Sequence, residues 1–129
     1  MVSHLVRVAL AALSSLLLDG LWYSPLLFLK AWNQAAKISA VDEKHGPARL
    51  AIAYLGAFAA AWVVGSFLGP EPTLPAALLV SGELGLLVVG GSFAVNYSLG
   101  FKSFKLWAIV AGYHFVQFLL FGLIFGLSR

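Results

Sequence analysis

The stretch Asp19-Gly20-Leu21-Trp22-Tyr23-Ser24-Pro25-Leu26-Leu27-Phe28-Leu29-Lys30-Ala31-Trp32 places an acid at the end of an apolar run, then a glycine, two aromatics, a proline and a lysine. Upstream, Val8 to Leu18 holds only apolar residues and two serines. Counted from Leu5 to Ser24, the run has the ~20 residues that a bilayer-crossing helix needs. Pro25 lacks an N–H and disfavours helix at Ser24, which predicts a break or kink at Ser24–Pro25. In one form of that break Ser24 caps a new helix with Pro25 at its first position. Residues 26–37 are apolar first and polar later, with Lys30, Trp32, Asn33, Gln34 and Lys37, the pattern of a segment at the lipid–water interface. The stretch thus reads as the junction between a membrane span and an interfacial helix, with Gly20, Trp22, Tyr23, Pro25 and Trp32 as its structural motif. Arg7 precedes the apolar run as in a signal peptide, but no small-residue cleavage pattern follows, so the first span is read as uncleaved.

Composition extends this reading to the whole chain. Of 129 residues, 61% are hydrophobic and 10% charged. A soluble domain is about 45–50% apolar and about 25% charged. The net charge is +3, yet the basic residues form no patch or stripe, so no nucleic-acid partner is expected. With no cysteine, disulfides, thiol catalysis and cysteine-ligated metals are excluded.

Three more apolar runs follow. They span about 48–69, 74–98 and 104–127, separated by the polar loop Ser39 to Pro47, the turn Gly69-Pro70-Glu71-Pro72-Thr73 and a short turn at Gly100 to Ser103. The expectation is a single all-α domain over 1–129, an integral membrane four-helix bundle with short loops. Period-two alternation is missing, which argues against a barrel. Six lysines and arginines (Lys30, Lys37, Lys44, Arg49, Lys102, Lys105) fall on the side of the first and third loops, against two (Arg7, Arg129) on the other. This places those loops in the cytoplasm and both termini outside a cell (inner) membrane, with Arg7 as a mild dissent.

Ionisable groups inside a span are functional candidates, because each costs about 2.5–3.5 kcal/mol at the bilayer centre. Asp19, Glu83 and His114 qualify, and Gln117 lies three residues beyond His114 on the same face. At ~1.5 Å per residue, Asp19 and His114 fall at one depth and Glu83 and Gln117 at another. Asp19 shares a helical stripe with Ala12 and Ser15, and Glu83 with Gly90, Ala94 and Tyr97, which suits an inward face for both acids, while the depth of Asp19 favours a solvated boundary residue or a partner for Lys30 or Lys102. Gly122 and Gly126 form a small-residue repeat of the kind that pairs helices. No histidine–acid spacing suggests a metal, no cofactor motif appears, and no nucleophile–base pairing suggests an enzyme.

The run Gly20 to Phe28, continuing to Lys30-Ala31-Trp32, resembles the opening signature of a bacterial membrane-protein family catalogued as domain-of-unknown-function family 1761. The glycine-rich third span and the Gly112-Tyr113 pair agree with it, while Leu29 stands where the family usually has a small residue. The resemblance implies a small polytopic membrane protein and carries no activity. Two functions are expected from the residues. One is a small, proton-linked carrier or channel working as a homo-oligomer through Glu83, His114, Asp19 and Gln117. The alternative is a structural or accessory membrane subunit without transport activity. Membrane lipids and further copies of the chain are the expected partners, and the substrate is not legible.

Overall fold

The computed structural model describes residues 3–37 and 46–128. Helix α1 (His4–Trp22) starts at Ser3, whose hydroxyl accepts from the Val6 amide. A turn over residues 23–28 leads to the short α2 (Leu29–Ala36). Helix α3 (Pro47–Leu68) opens on Pro47, where a missing N–H is no loss. Helix α4 (Leu74–Glu83) is capped by Thr73, and α6 (Phe104–Leu127) by Ser103, each side chain accepting an amide of the first turn. Between α4 and α5 (Gly90–Leu99) the chain runs without interruption through a π-helical segment, Leu84–Val89. Four helical stretches are long and apolar enough to cross a membrane: His4–Trp22, Pro47–Leu68, Leu74–Leu99 and Phe104–Leu127. The chain is an all-α, multi-pass membrane protein.

The predicted break lies where Pro25 requires it. Helix α1 stops at Trp22, and the Ser24 hydroxyl turns back to the Leu21 carbonyl (2.7 Å) instead of capping α2. The N-cap of α2 is Phe28, without a side-chain hydrogen bond. The polar loop expected over Ser39 to Pro47 lies outside the described residues up to His45, and Pro47 opens α3 as expected.

Helix α6 is the central helix. Half of its most apolar stretch is buried, against 28% for α1 and 22% for the other two spans. Val8 and Ala11 of α1, Ala61 and Val64 of α3, and Phe118, Phe121 and Phe125 of α6 form one apolar cluster. Large residues such as Leu17, Ile52, Leu79 and Leu87 face outward, as a lipid-covered surface allows. The Gly122/Gly126 repeat is used inside the chain and not for pairing copies. A Cβ on Gly122 would lie 2.6 Å from the Ala77 carbonyl oxygen, and one on Gly126 would lie 2.8 Å from Leu74. The notch therefore seats α4 directly on α6.

Arg7 closes the end of the bundle where α1 begins and α6 ends. Its buried guanidinium donates to the Phe125 carbonyl (2.6 Å), the Pro70 carbonyl (3.2 Å) and Ser128 Oγ (2.9 Å), and its Cζ sits 5.1 Å from the centre of the Phe125 ring. The last carbonyls of α6 have no helical partner and carry the negative end of its dipole, so a cation belongs there. This arginine is a structural clamp, which accounts for its dissent from the charge rule.

Two substitutions test these contacts by thermal melting in detergent. Arg7→Lys keeps the charge but loses the fork, and should cost about 2–3 kcal/mol. Gly122→Val should cost at least about 1–3 kcal/mol by pushing α4 off α6. Gly56→Ala, where a Cβ meets nothing within 4 Å, should melt like the parent chain.

Candidate functional site

Four-residue spacing puts Ser15 and Asp19 on one stripe of α1, with Tyr23 next in line at the residue that ends the helix. The facing stripe of α6 carries Tyr113, His114 and Gln117. Between them lies a cleft of about 430 Å³, walled by Ala53, Gly56, Ala57 and Ala60 of α3 and by Val89 of the π segment. Small residues on α3 leave this space, because no side chain there is long enough to fill it.

A hydrogen-bonded chain runs along the cleft. The Gln117 amide nitrogen donates to Ser15 Oγ. Its oxygen then faces His114 Nδ1 at 2.6 Å and takes the proton there, which leaves Nε2 as the basic nitrogen. The Tyr113 hydroxyl donates to the Ser15 carbonyl at 3.1 Å and lies 3.3 Å from Ser15 Oγ. The His114 ring stacks on Phe93 (centroids 5.2 Å apart) and meets Tyr113 edge-on (5.0 Å). Ser15 and Gln117 are buried, while Asp19, Tyr23 and His114 are half-buried on the cleft wall. Toward Arg7, the aromatic and aliphatic cluster of Val8, Val64, Phe121 and Phe125 closes the bundle.

The opening motif builds the mouth of this cleft. Trp22 Nε1 donates to the Ile109 carbonyl at 3.0 Å, and the indole lies where a Cβ on Gly112 would be 3.2 Å away. Tyr23 packs between Trp32 (5.2 Å) and Tyr113 (5.6 Å). Trp22 and Tyr23 thus rest on Gly112 and Tyr113. Gly20 and Pro25 are exposed and serve the turn.

Of the four residues singled out from sequence, three meet in the cleft: Asp19, His114 and Gln117. Glu83 does not. It is exposed on the outer face of its span and contributes nothing to the cleft wall. The inward expectation assumed an α-helical step from Glu83 to Gly90. The π segment winds more residues into each turn and so lags behind that phase, by about 100° over its length. The glycines against α6 carry the signal. A Cβ on Gly82 would lie 3.2 Å from Leu119, and one on Gly85 would lie 2.6 Å from Phe118 Cβ. Gly90, the next glycine on that side, is buried as well. A step of five, from Gly85 to Gly90, keeps one face only on a wider helix. From sequence, Ser15 stands out only as a stripe neighbour of Asp19, and Tyr113 only through the Gly112-Tyr113 pair. Both are part of the chain of hydrogen bonds. Among the described residues, no three histidine or acidic side chains gather as metal ligands.

The profile of a family described as "Protein of unknown function (DUF1761)" matches residues 6–126. Neither the curated proteins nor the solved structures include a match to this chain.

Because the chain has no cysteine, access to the cleft can be read with single thiols. Gly56→Cys, where a Cβ meets nothing within 4 Å, should react with a small polar thiol reagent in membranes. Val64→Cys, inside the apolar cluster, should stay protected until the protein is denatured.

Proposed function

The chain belongs to that family of unknown function, and we propose that it is a small proton-linked carrier working through the cleft of Ser15, Asp19, Tyr23, Tyr113, His114 and Gln117. The supporting observation is the convergence of these side chains, from α1 with its C-terminal turn and from α6, on one cavity of about 430 Å³. Polar and ionisable groups inside a membrane protein mark solute and proton pathways, since their burial is otherwise unfavourable. Histidine exchanges protons near neutral pH. Here Gln117 holds one ring nitrogen of His114, so the other is the site of uptake and release. Asp19 lines the same wall of the cleft, a second ionisable side chain beside the histidine.

The apolar cluster beyond Gln117 favours a carrier over an open channel. A solute reaching His114 meets Phe121, Phe125, Val8 and Val64 and passes only if the helices rearrange. The basic asymmetry places the first and third loops in the cytoplasm, and the Asp19–Tyr23 end of the cleft lies toward that side. With Arg7 engaged in the fold, six basic residues there face Arg129 alone.

The alternative, an accessory subunit, draws support from the same hydrogen bonds, because the Ser15–Gln117 contact also ties α1 to α6. Reconstitution in liposomes with an internal pH dye separates the two. A carrier dissipates an imposed proton gradient, and His114→Gln should slow it by roughly 100-fold, the low end for a positioned proton-transfer group, with an unchanged melting temperature. Wild-type liposomes no leakier than protein-free ones, tested with and without a mixture of small polar solutes, would favour the accessory role.

A further inference from the structure

Glu83 is an acid on an apolar outer surface. Its exposed neighbours on the same helical face are Ala76, Leu79, Leu86 and Leu87. Counted from Leu74, it sits about 13–14 Å into the span, close to the middle of a hydrocarbon layer ~30 Å thick. No hydrogen bond or ion pair to it occurs among the described residues. Ionisable groups at this depth face protein, water or a partner, because acyl chains offer no hydrogen bond. Within the chain that option is closed. The opposite face of the span, through Ala77, Ser81, Gly82 and Gly85, is already seated on α6.

We propose that the face of Ala76, Leu79, Glu83, Leu86 and Leu87 packs against the same face of a second copy of this chain, with the two Glu83 side chains hydrogen-bonded to each other. A two-fold axis along the membrane normal brings each residue near the axis to its own counterpart at equal depth. Side chains that carry both a hydrogen-bond donor and an acceptor, as a carboxyl pair sharing a proton or a pair of amides does, can bond to each other across such an axis. Glu83 therefore finds in another copy the partner that its own chain lacks. Ala76 allows close approach at one end, and the three leucines interdigitate on either side of the acid. The helix-pairing glycines, Gly122 and Gly126, are consumed inside the bundle, so this interface rests on the acid pair. The inference stands independently of transport through the cleft.

The test uses the full chain in lipid nanodiscs and a set of single cysteines in the cysteine-free background. With Glu83 intact, Leu79→Cys and Leu86→Cys should form disulfide-linked dimers on mild oxidation. Ile52→Cys and Leu55→Cys, at least as exposed on α3, should not. Native mass measurement should give a dimer for the parent chain and for Glu83→Gln, whose amides still pair. Glu83→Leu should weaken the dimer by about tenfold or more, as loss of an interhelical hydrogen bond does. A monomeric parent chain, cross-linking through α3 in place of α4, or an undiminished Glu83→Leu dimer would each overturn the assignment.

Discussion

In a bundle wrapped by acyl chains, each polar side chain has to find its partner on another part of the protein, because lipid offers none. Arg7 spends its donors on carbonyls and a hydroxyl at the ends of other segments. Gln117 joins Ser15 of α1 to His114 one turn earlier on α6. Trp22 and Trp107 give their indole protons to the carbonyls of Ile109 and Gly90. Apart from the His114–Gln117 bond within α6, these bonds cross between segments, so satisfying the polar groups and assembling the bundle are one event. Trp107, which reads as an interfacial anchor, is half-buried and ties α6 to α5 in this way.

The same constraint explains the π segment. Gly85 lets the α4 side of the span touch the α6 backbone, where a Cβ would lie 2.7 Å from the His114 carbonyl oxygen. The Gly90 carbonyl accepts from Trp107. A plain α-helix would carry one of these two contacts out of phase with the other. Widening six residues keeps both on α6. It also turns Glu83 outward, so the acid's position on the lipid-facing side is a consequence of how tightly the glycines pack.

At the other end, the aromatic residues of the opening motif act as a wedge. Trp22 leans on Gly112 and Tyr23 on Tyr113, which holds α1 against α6 at one level while the small residues of α3 leave room beside them. The cleft lies where the side chains of α3 are too small to fill the space beside Tyr23, Tyr113 and His114. The break at Pro25 then carries α2 back so that Trp32 covers Tyr23.

Hydropathy, proline positions and capping residues determined the spans without any tertiary information. Ser3, Thr73 and Ser103 begin helices, and Pro25 and Pro70 lie where they end, because these effects act within a few residues along the chain. The common level of Asp19 and His114 was legible too, since depth follows from counting residues in a regular helix and both helices are regular over that stretch, whereas counting set Gln117 beside Glu83 and not beside Ser15. Three features were not. Arg7 reads as a surface charge until the carbonyls at the end of α6 and in the α3–α4 turn are brought to it. The glycine repeat of α6 reads as a surface for another molecule until α4 fills it. Glu83 reads as buried until the hydrogen-bond pattern of its own helix is known. In each case the deciding contact joins residues far apart in the chain, or changes the helical period itself. Only the packed bundle selects among the arrangements that local sequence leaves equal.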